Sequence, residues 1–405
     1  MTPLLWALVV VGTPIALGSL VTWCLHPLSV LFELRQKTRP ALPLNARVSV
    51  VVPAYNEGVV LRACVESILA SGYRWLEVVL VDDGSTDDTL AIMREFEHDP
   101  RVVVVAKPNG GKGSALNAGI AHATGEVFVF VDADGVFTNT TIPRLLEGFR
   151  HERVGAVCGN DLPINVTNPL TALLALLTHV GTGMTRRALA LVGMLPIVAG
   201  NSGAFRADLV RCIGGFREDT VGEDLELTWR VHFAGYDVEF APHAKVLAEV
   251  ASSVRGLWKQ RVRWQRGLIQ TARLHRRRVW RTPRRPIGAY LPWNLFSMLV
   301  VPVLQLVALP LAVAAMAVGA LPVGGPVEVA LWLGLGLALG VTLLSIALDR
   351  SWRDLRLLWA LPLWVPLSVM MSAVTLTALW HEARGTQAAW NKLERTGVQT
   401  VPLPT

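Results

Sequence analysis

Val78-Val79-Leu80-Val81-Asp82-Asp83-Gly84-Ser85 decides how this chain is read: a short, wholly apolar run that stops at two aspartates and a turn. A run of that length bounded by turn residues reads as a strand, and strands without polar alternation belong to a parallel sheet covered on both faces. The pattern recurs at Val48–Val52, Val102–Val105 and Val127–Val131, with helix-length segments such as Val59–Ser71 and Asp87–Glu97 between. Three of these four strands end at polar clusters: Tyr55-Asn56-Glu57, Asp82-Asp83 and Asp132-Ala133-Asp134. Ligands of open α/β sheets sit beyond the carboxyl ends of the strands, so the clusters are expected to share one crevice.

Outside residues 45–250 the composition changes. With 52% apolar and 17% charged residues and a mean hydropathy of +0.42, the chain lies beyond the soluble average. Leu4 to about Leu25 is uncharged and long enough to cross a bilayer, which takes about 20 residues. It lacks the basic n-region of a signal peptide, so residues 1–32 are expected to form a membrane helix. Arg35, Lys37, Arg39 and Arg47 follow, and the positive-inside bias places the α/β domain in the cytoplasm. Further apolar segments at Tyr290–Ala320, Val327–Leu348 and Leu358–Trp380 define a membrane region over 290–380, with a tail at 381–405. Arg350, Arg353 and Arg356 put the last connecting loop inside, and three crossings would then leave the tail outside. Lys392 and Arg395 favour the inside, and prolines at 292, 302, 362 and 366 allow re-entrant or interfacial helices.

Between Arg255 and Arg285 lie twelve Lys and Arg residues and no acid, more than the net charge of +7. A basic run directly before an apolar span fits anionic headgroups better than nucleic acid, so 251–289 reads as interface helices and no nucleic-acid partner is expected. The four scattered cysteines, without CxxC spacing, point to neither a zinc site nor a disulfide framework.

Several residue types in this order carry chemistry. Asp132 and Asp134, two apart at a strand end, offer hard oxygen ligands for Mg2+ or Mn2+. Glu223-Asp224 opens a helix; the pair is either an acidic first turn complementing the dipole or a source of a general base. Lys112 follows Gly110-Gly111 without the first glycine of a Walker A loop, so it is either a phosphate ligand or a solvated loop lysine. Asp82 and Asp83 can bond a nucleoside, although Ser85 or Asp87 could equally be a helix cap. Gln260-Arg261-Val262-Arg263-Trp264 reads either as an amphipathic interface helix or as a polar and aromatic platform for a sugar.

Taken together, Asp82-Asp83, Asp132-Ala133-Asp134, Glu223-Asp224 and Gln260-Arg261-Val262-Arg263-Trp264 resemble the motif series of the processive, membrane-embedded family 2 glycosyltransferases, which make cellulose, chitin oligosaccharides, hyaluronan and poly-N-acetylglucosamine. The resemblance implies an α/β GT-A domain, a Rossmann-like nucleotide-sugar-binding fold, flanked by N- and C-terminal transmembrane helices. It implies a UDP-sugar donor, UDP-N-acetylglucosamine or UDP-glucose, and a growing glycan or lipid acceptor at the plasma membrane. By the same resemblance Tyr55, Glu57, Asp82, Asp83, Lys112 and Asp132 hold the nucleotide and Asp132 and Asp134 the metal. Asp224 is then the base, and Glu223, Gln260, Arg263 and Trp264 meet the acceptor or product. Asn201 to Arg206 is similar to the acceptor-site loop, and Trp390 to Gly397, with Arg395, to a tail pattern of related synthases. The chain departs from the pattern in two places: Gly222 stands where the family has threonine, and the Glu-Tyr pair of hyaluronan synthases is missing near Leu177-Thr178. Single-sugar transfer to a polyprenyl phosphate and a non-catalytic assembly component remain as alternatives.

Overall fold

The computed structural model describes residues 2–38, 45–280, 285–321, 324–386 and 395–398. Trp390 and Lys392, invoked above for the tail, lie outside the described residues. Among the described residues eight strands run β1 Val48–Ala54, β2 Leu76–Asp82, β3 Val102–Ala106, β4 Val127–Phe130, β5 Val136–Phe137, β6 Val154–Pro163, β7 Gly203–Arg206 and β8 Asp237–Ala248. Between and after them lie α1 Pro3–Thr38, α2 Gly58–Leu69, α3 Thr89–Glu95, α4 Lys112–His122, α5 Thr141–Leu146, α6 Pro169–Thr178, α7 Thr185–Leu191, α8 Ala207–Cys212 and α9 Glu223–Phe233. The chain continues through α10 Val254–Leu274, α11 Arg276–Val279, α12 Pro286–Leu295, α13 Val301–Ala317, α14 Pro326–Asp349 and α15 Trp364–Ala383.

One sheet is ordered β3-β2-β1-β4-β7-β6-β8-β5. Alternation along β1 and β2 sends successive side chains to opposite faces, and both faces are covered. Val50, Val52, Val78 and Leu80 pack under Leu61 and Ile68 of α2 and Leu145 of α5. Val51, Val79, Phe128 and Phe130 pack against Leu116 of α4, Val210 of α8 and Leu227 of α9. Burying a side chain such as Phe130, 1% exposed and edge-on to Phe216 at 4.8 Å, contributes about 1.5–3 kcal/mol. Both helical layers are needed because these strands present no polar face.

Strands β1 to β4 are mutually parallel, as their composition requires. The other half of the sheet corrects the all-parallel expectation: β7 lies antiparallel to both β4 and β6. Gly203-Ala204-Phe205-Arg206 is short and ends in a cation whose Nε donates to the Val154 carbonyl at 2.7 Å, so it lacked the apolar signature of its neighbours.

Among the described residues four helical stretches are long and apolar enough to cross a membrane: Pro3–Arg35, Pro286–Ala317, Trp332–Asp349 and Trp352–Ala383. The ends of two of them are bolted to the α/β domain by a buried ion cluster. Arg187 of α7, fully buried, pairs with Glu33 of α1 at 2.6 Å and with Asp349 of α14 at 2.7 Å. The last stretch behaves differently. At its start Leu357, Leu361 and Leu367 pack on Leu173 and Leu176 of α6 and Leu257 of α10. At its end Glu382 accepts from Arg266 and Gln270 of α10, at 2.7 and 2.9 Å. In between, Gln265 of α10 donates to Thr375 at 2.9 Å. Both ends of this stretch therefore touch α10 or the helices beside it.

Candidate active site

The parallel register puts Ala54 beside Asp82, and the Asp83 N–H donates to the Ala54 carbonyl at 2.9 Å. The polar clusters after β1 and β2 thus emerge side by side. The turn after β2 needs Gly84: its φ is +77°, and a β-carbon there would lie 2.7 Å from the Asn109 backbone nitrogen. That close approach draws in the loop leading to Lys112. Asp83, 1% exposed, holds the loop, accepting from Lys107 Nζ at 2.6 Å and from the Gly110 and Gly111 N–H groups at 3.0 and 2.8 Å. The carboxylate expected to face a nucleoside is thus engaged in placing the loop, while Asp82 caps its own turn through the Ser85 N–H at 3.2 Å. The N-cap of α3 is Asp88 and not Ser85 or Asp87; Asp87, one residue earlier, accepts from the Thr89 N–H at 3.0 Å.

Lys112, first residue of α4, is the hub. Its Nζ lies 2.6 Å from Asp132 Oδ1 and 3.2 Å from Glu223 Oε1, joining motifs ninety-one residues apart in sequence. Burial alone would lower the amine's pKa, but Asp132, Glu223 and Asp224 outweigh it and hold Lys112 above the ordinary range. Burial pushes Glu223 up against the opposing charges of Lys112 and Arg263. Asp224 is oriented by two N–H groups, Gly200 to Oδ2 at 3.2 Å and Leu225 to Oδ1 at 2.7 Å. Gly222 explains the missing threonine: a β-carbon on it would sit 2.8 Å from Gly267 Cα of α10.

On the other side of the crevice, Asp134 is 6% exposed, and burial pushes its carboxyl up to about 6 in spite of Arg395 beside it. Arg395 Nη1 pairs with Asp134 Oδ2 at 2.8 Å and its Nε lies 3.5 Å from Glu57. The same Asp134 oxygen accepts the Glu249 N–H at 3.1 Å. The Glu249 carboxylate in turn accepts from the Thr396 and Gly397 N–H groups at 2.9 and 2.7 Å. Residues 395–398 are therefore folded onto Asp134 and Glu249. The sequence placed Arg395 in a tail pattern but gave it no role, and Glu249 went unnoticed because a lone acid after a long strand carries no motif. Asn201, in the loop before β7, receives the Asp132 N–H on its side-chain oxygen at 3.2 Å.

The QxxRW residues divide. Arg263 faces the site through its charge on Glu223, and its buried Nε has no acceptor among the described residues. Trp264 is 47% exposed and stacked against Arg261, whose guanidinium lies 4.3 Å from the ring centre. Gln260 is half-buried on the same helix, and Tyr55 half-buried beyond β1. No group of three or more His, Cys, Asp or Glu gathers as a ready metal cage among the described residues. Asp132 and Asp134 still fit a hard divalent cation, which commonly takes one or two carboxylates and completes its shell with water and phosphate oxygens.

Residues 49–214 match the family described as Glycosyl transferase family 2. Over 223 residues the chain is 30% identical to the poly-β-1,6-N-acetyl-D-glucosamine synthase of Staphylococcus epidermidis, covering 54% of each. Its counterpart in Staphylococcus aureus (strain COL) is 29% identical over 222 residues, again 54% of each. The chain thus spans about half the length of the curated relatives it matches. Among solved structures, a mannosyltransferase from Pyrobaculum calidifontis in complex with GDP-Man and Mn2+ superposes with a TM-score of 0.59 at 25% identity, covering 92% of this chain and 100% of that one. A GT-A-like mixed sheet, the motif series and these matches make the segment over residues 49–214 similar to the family 2 glycosyltransferases, the poly-N-acetylglucosamine synthases among them.

Proposed function

We propose that this protein is a membrane-embedded, inverting glycosyltransferase that uses a UDP-sugar to elongate a β-linked polysaccharide, with UDP-N-acetylglucosamine the favoured donor and UDP-glucose next. The observation that carries the reading is the Lys112 bridge, which sets the metal motif through Asp132 against the Glu223-Asp224 helix. Tyr55, Glu57, Asp82 and Asp83 line the nucleotide end and Lys112 and Arg263 the diphosphate. Asp132 and Asp134 would hold Mg2+ or Mn2+, which supplies Lewis acidity toward the departing diphosphate when bound. Asp224 takes the acceptor hydroxyl's proton as its oxygen bonds to the anomeric carbon; the bond to the nucleoside diphosphate breaks on the opposite face, inverting the centre. Glu223, Gln260, Arg263 and Trp264 lie toward the acceptor.

The return of residues 395–398 to Asp134 supports a tail on the catalytic side. Three crossings, α1, α12 with α13, and α14, satisfy that, with Trp352–Ala383 lying along the interface, and the positive-inside bias makes the catalytic side cytoplasmic. The crossing helices would give the product a path outward, coupling elongation to export.

Membranes carrying the protein, incubated with labelled UDP-sugars and Mg2+ or Mn2+, should yield long products from one donor. Asp224→Asn should abolish transfer and keep UDP binding; full activity in that variant would remove the base assignment. GDP-mannose belongs in the panel because the mannosyltransferase was solved with it. One sugar per lipid would favour the polyprenyl-phosphate alternative, and UDP binding without turnover the non-catalytic one.

A further inference from the structure

A second polar cavity of about 440 Å³ opens away from all the residues described above for the active site. Arg144, His243, Lys245 and Arg350 line it, together with the hydroxyl-bearing Thr138 and Thr140, and no acid does. It forms where β8 and α5 of the α/β domain meet the end of α14: Thr141 Oγ1 donates to the Lys245 carbonyl at 2.6 Å, and Lys245 Nζ to the Asp349 carbonyl at 3.2 Å. The positive groups face one another. Burial lowers the pKa of both His243 and Lys245, and the charge of Arg350 lowers each further. Nearby acids compensate only in part, Glu147 pairing with Arg144 at 2.8 Å and Glu33 lying 3.8 Å from His243. Arg350 meets no carboxylate among the described residues and stands at φ +54°, a left-handed conformation that costs a non-glycine residue about 1 kcal/mol or more. Converging cations that nearby acids offset only in part favour an anion.

The setting narrows which anion. Arg350 directly follows the apolar α14 and precedes a 3-10 helix, Trp352–Leu363. On that helix Trp352 and Trp359 are each 60% exposed beside exposed Arg353 and Arg356, while Leu357, Ala360 and Leu361 are buried inward. Exposed tryptophans interleaved with arginines belong at the level of lipid headgroups. We propose that this cavity binds the phosphate of an anionic phospholipid headgroup, in the leaflet facing the α/β domain. The headgroup offsets the charges of Arg144, Lys245 and Arg350 and joins the end of α14 to β8 and α5.

The test uses the full chain purified in detergent and incubated with equal amounts of phosphatidylglycerol and phosphatidylcholine, with retained lipid read by native mass spectrometry. The cavity variant is Arg144→Gln with Arg350→Asn; both positions are exposed, and asparagine tolerates a positive φ. Arg353→Gln with Arg356→Gln is the control, removing two equally exposed cations outside the cavity. The wild type and the control should retain phosphatidylglycerol preferentially, and the cavity variant about tenfold less. Equal retention by all three, or an equal loss in the two variants, overturns the site. A third arm titrates inorganic phosphate without lipid: phosphate binding that the cavity variant loses, with no phosphatidylglycerol preference in the wild type, overturns the lipid assignment.

Discussion

Gly222 and Gly267 touch backbone to backbone, so that a β-carbon on either would lie 2.8 Å from the Cα of the other. The contact seats the start of α9, with Glu223 and Asp224, against α10, which carries the QxxRW residues. Gly222→Ala should push the two helices apart, destabilising the protein by about 1–3 kcal/mol. It should also cut transfer by up to about a hundredfold, since a displacement of about 1 Å at reacting groups costs that much. Gly181→Ala, at a glycine with open space around it, is the comparison. Turnover and melting temperature in Gly222→Ala equal to those of Gly181→Ala would show the contact to be dispensable.

Lys112→Met keeps most of the side chain's length and removes its charge. Asp132, Glu223 and Asp224 then share a crevice without the cation that offsets their repulsion, and Glu223, 5% exposed, is left in a poorly solvated place. Breaking a buried ion pair from one side costs about 3–5 kcal/mol. Transfer should fall by at least about a hundredfold, with Lys112→Arg recovering part of it because charge is restored in a bulkier form. Steady-state turnover of the two variants decides the matter; Lys112→Met as active as wild type means the bridge serves neither motif.

The sequence disclosed the parallel half of the fold because Val48–Val52, Val78–Val81, Val102–Val105 and Val127–Val131 have no polar alternation. It did not disclose β7, whose four residues carry too little pattern. The order of the acidic motifs was legible, and so was the location of Asp82-Asp83 and Asp132-Ala133-Asp134 at strand ends and of Glu223-Asp224 at a helix start. Their mutual engagement was not, because Lys112 to Glu223 is a tertiary contact that no spacing encodes. Asp83 illustrates the same limit: its position after β2 was plain, but that its carboxylate takes the Lys107 ammonium and the Gly110 and Gly111 N–H groups was not. That Trp264 would stand half exposed with Arg261 over its ring was likewise a side-chain arrangement that no motif encodes. Gly222 looked like a departure from a pattern until the approach of Gly267 gave it a steric cause.

Arg395 pairs with Asp134, so a cation arriving at the Asp132 and Asp134 carboxylates competes with a charge-assisted bond worth about 1.5–3 kcal/mol. Arg395→Gln should therefore bind Mn2+ roughly tenfold more tightly than wild type when no nucleotide is present. Isothermal titration of the two proteins with Mn2+ alone measures it. Unchanged or weaker Mn2+ binding in the variant would mean that Arg395 and the metal do not compete for Asp134.

His179 ties α14 to the α/β domain in a pH-dependent way. Its Nδ1 lies 2.6 Å from Asp349, at the end of α14, and its Nε2 2.9 Å from Asp354, while Arg187 shares Asp349 at 2.7 Å. Burial would lower the imidazole's pKa, but the two carboxylates outweigh it and raise it to about 9. A group whose folded pKa exceeds its unfolded value, about 6.5 for histidine, stabilises the fold fully below the unfolded value and loses that contribution as pH rises through the folded one. The melting temperature of the full chain in detergent should thus fall by a few degrees between about pH 6.5 and 9.5. Deprotonation leaves Asp349 with Arg187 alone and removes one donor from between two carboxylates. His179→Gln, which can donate a hydrogen bond but carries no charge, should start from a lower melting temperature and show a flatter profile over the same range. A wild-type profile that is flat there, or a His179→Gln profile parallel to it, would mean that the imidazolium is not what fastens α14 to the domain.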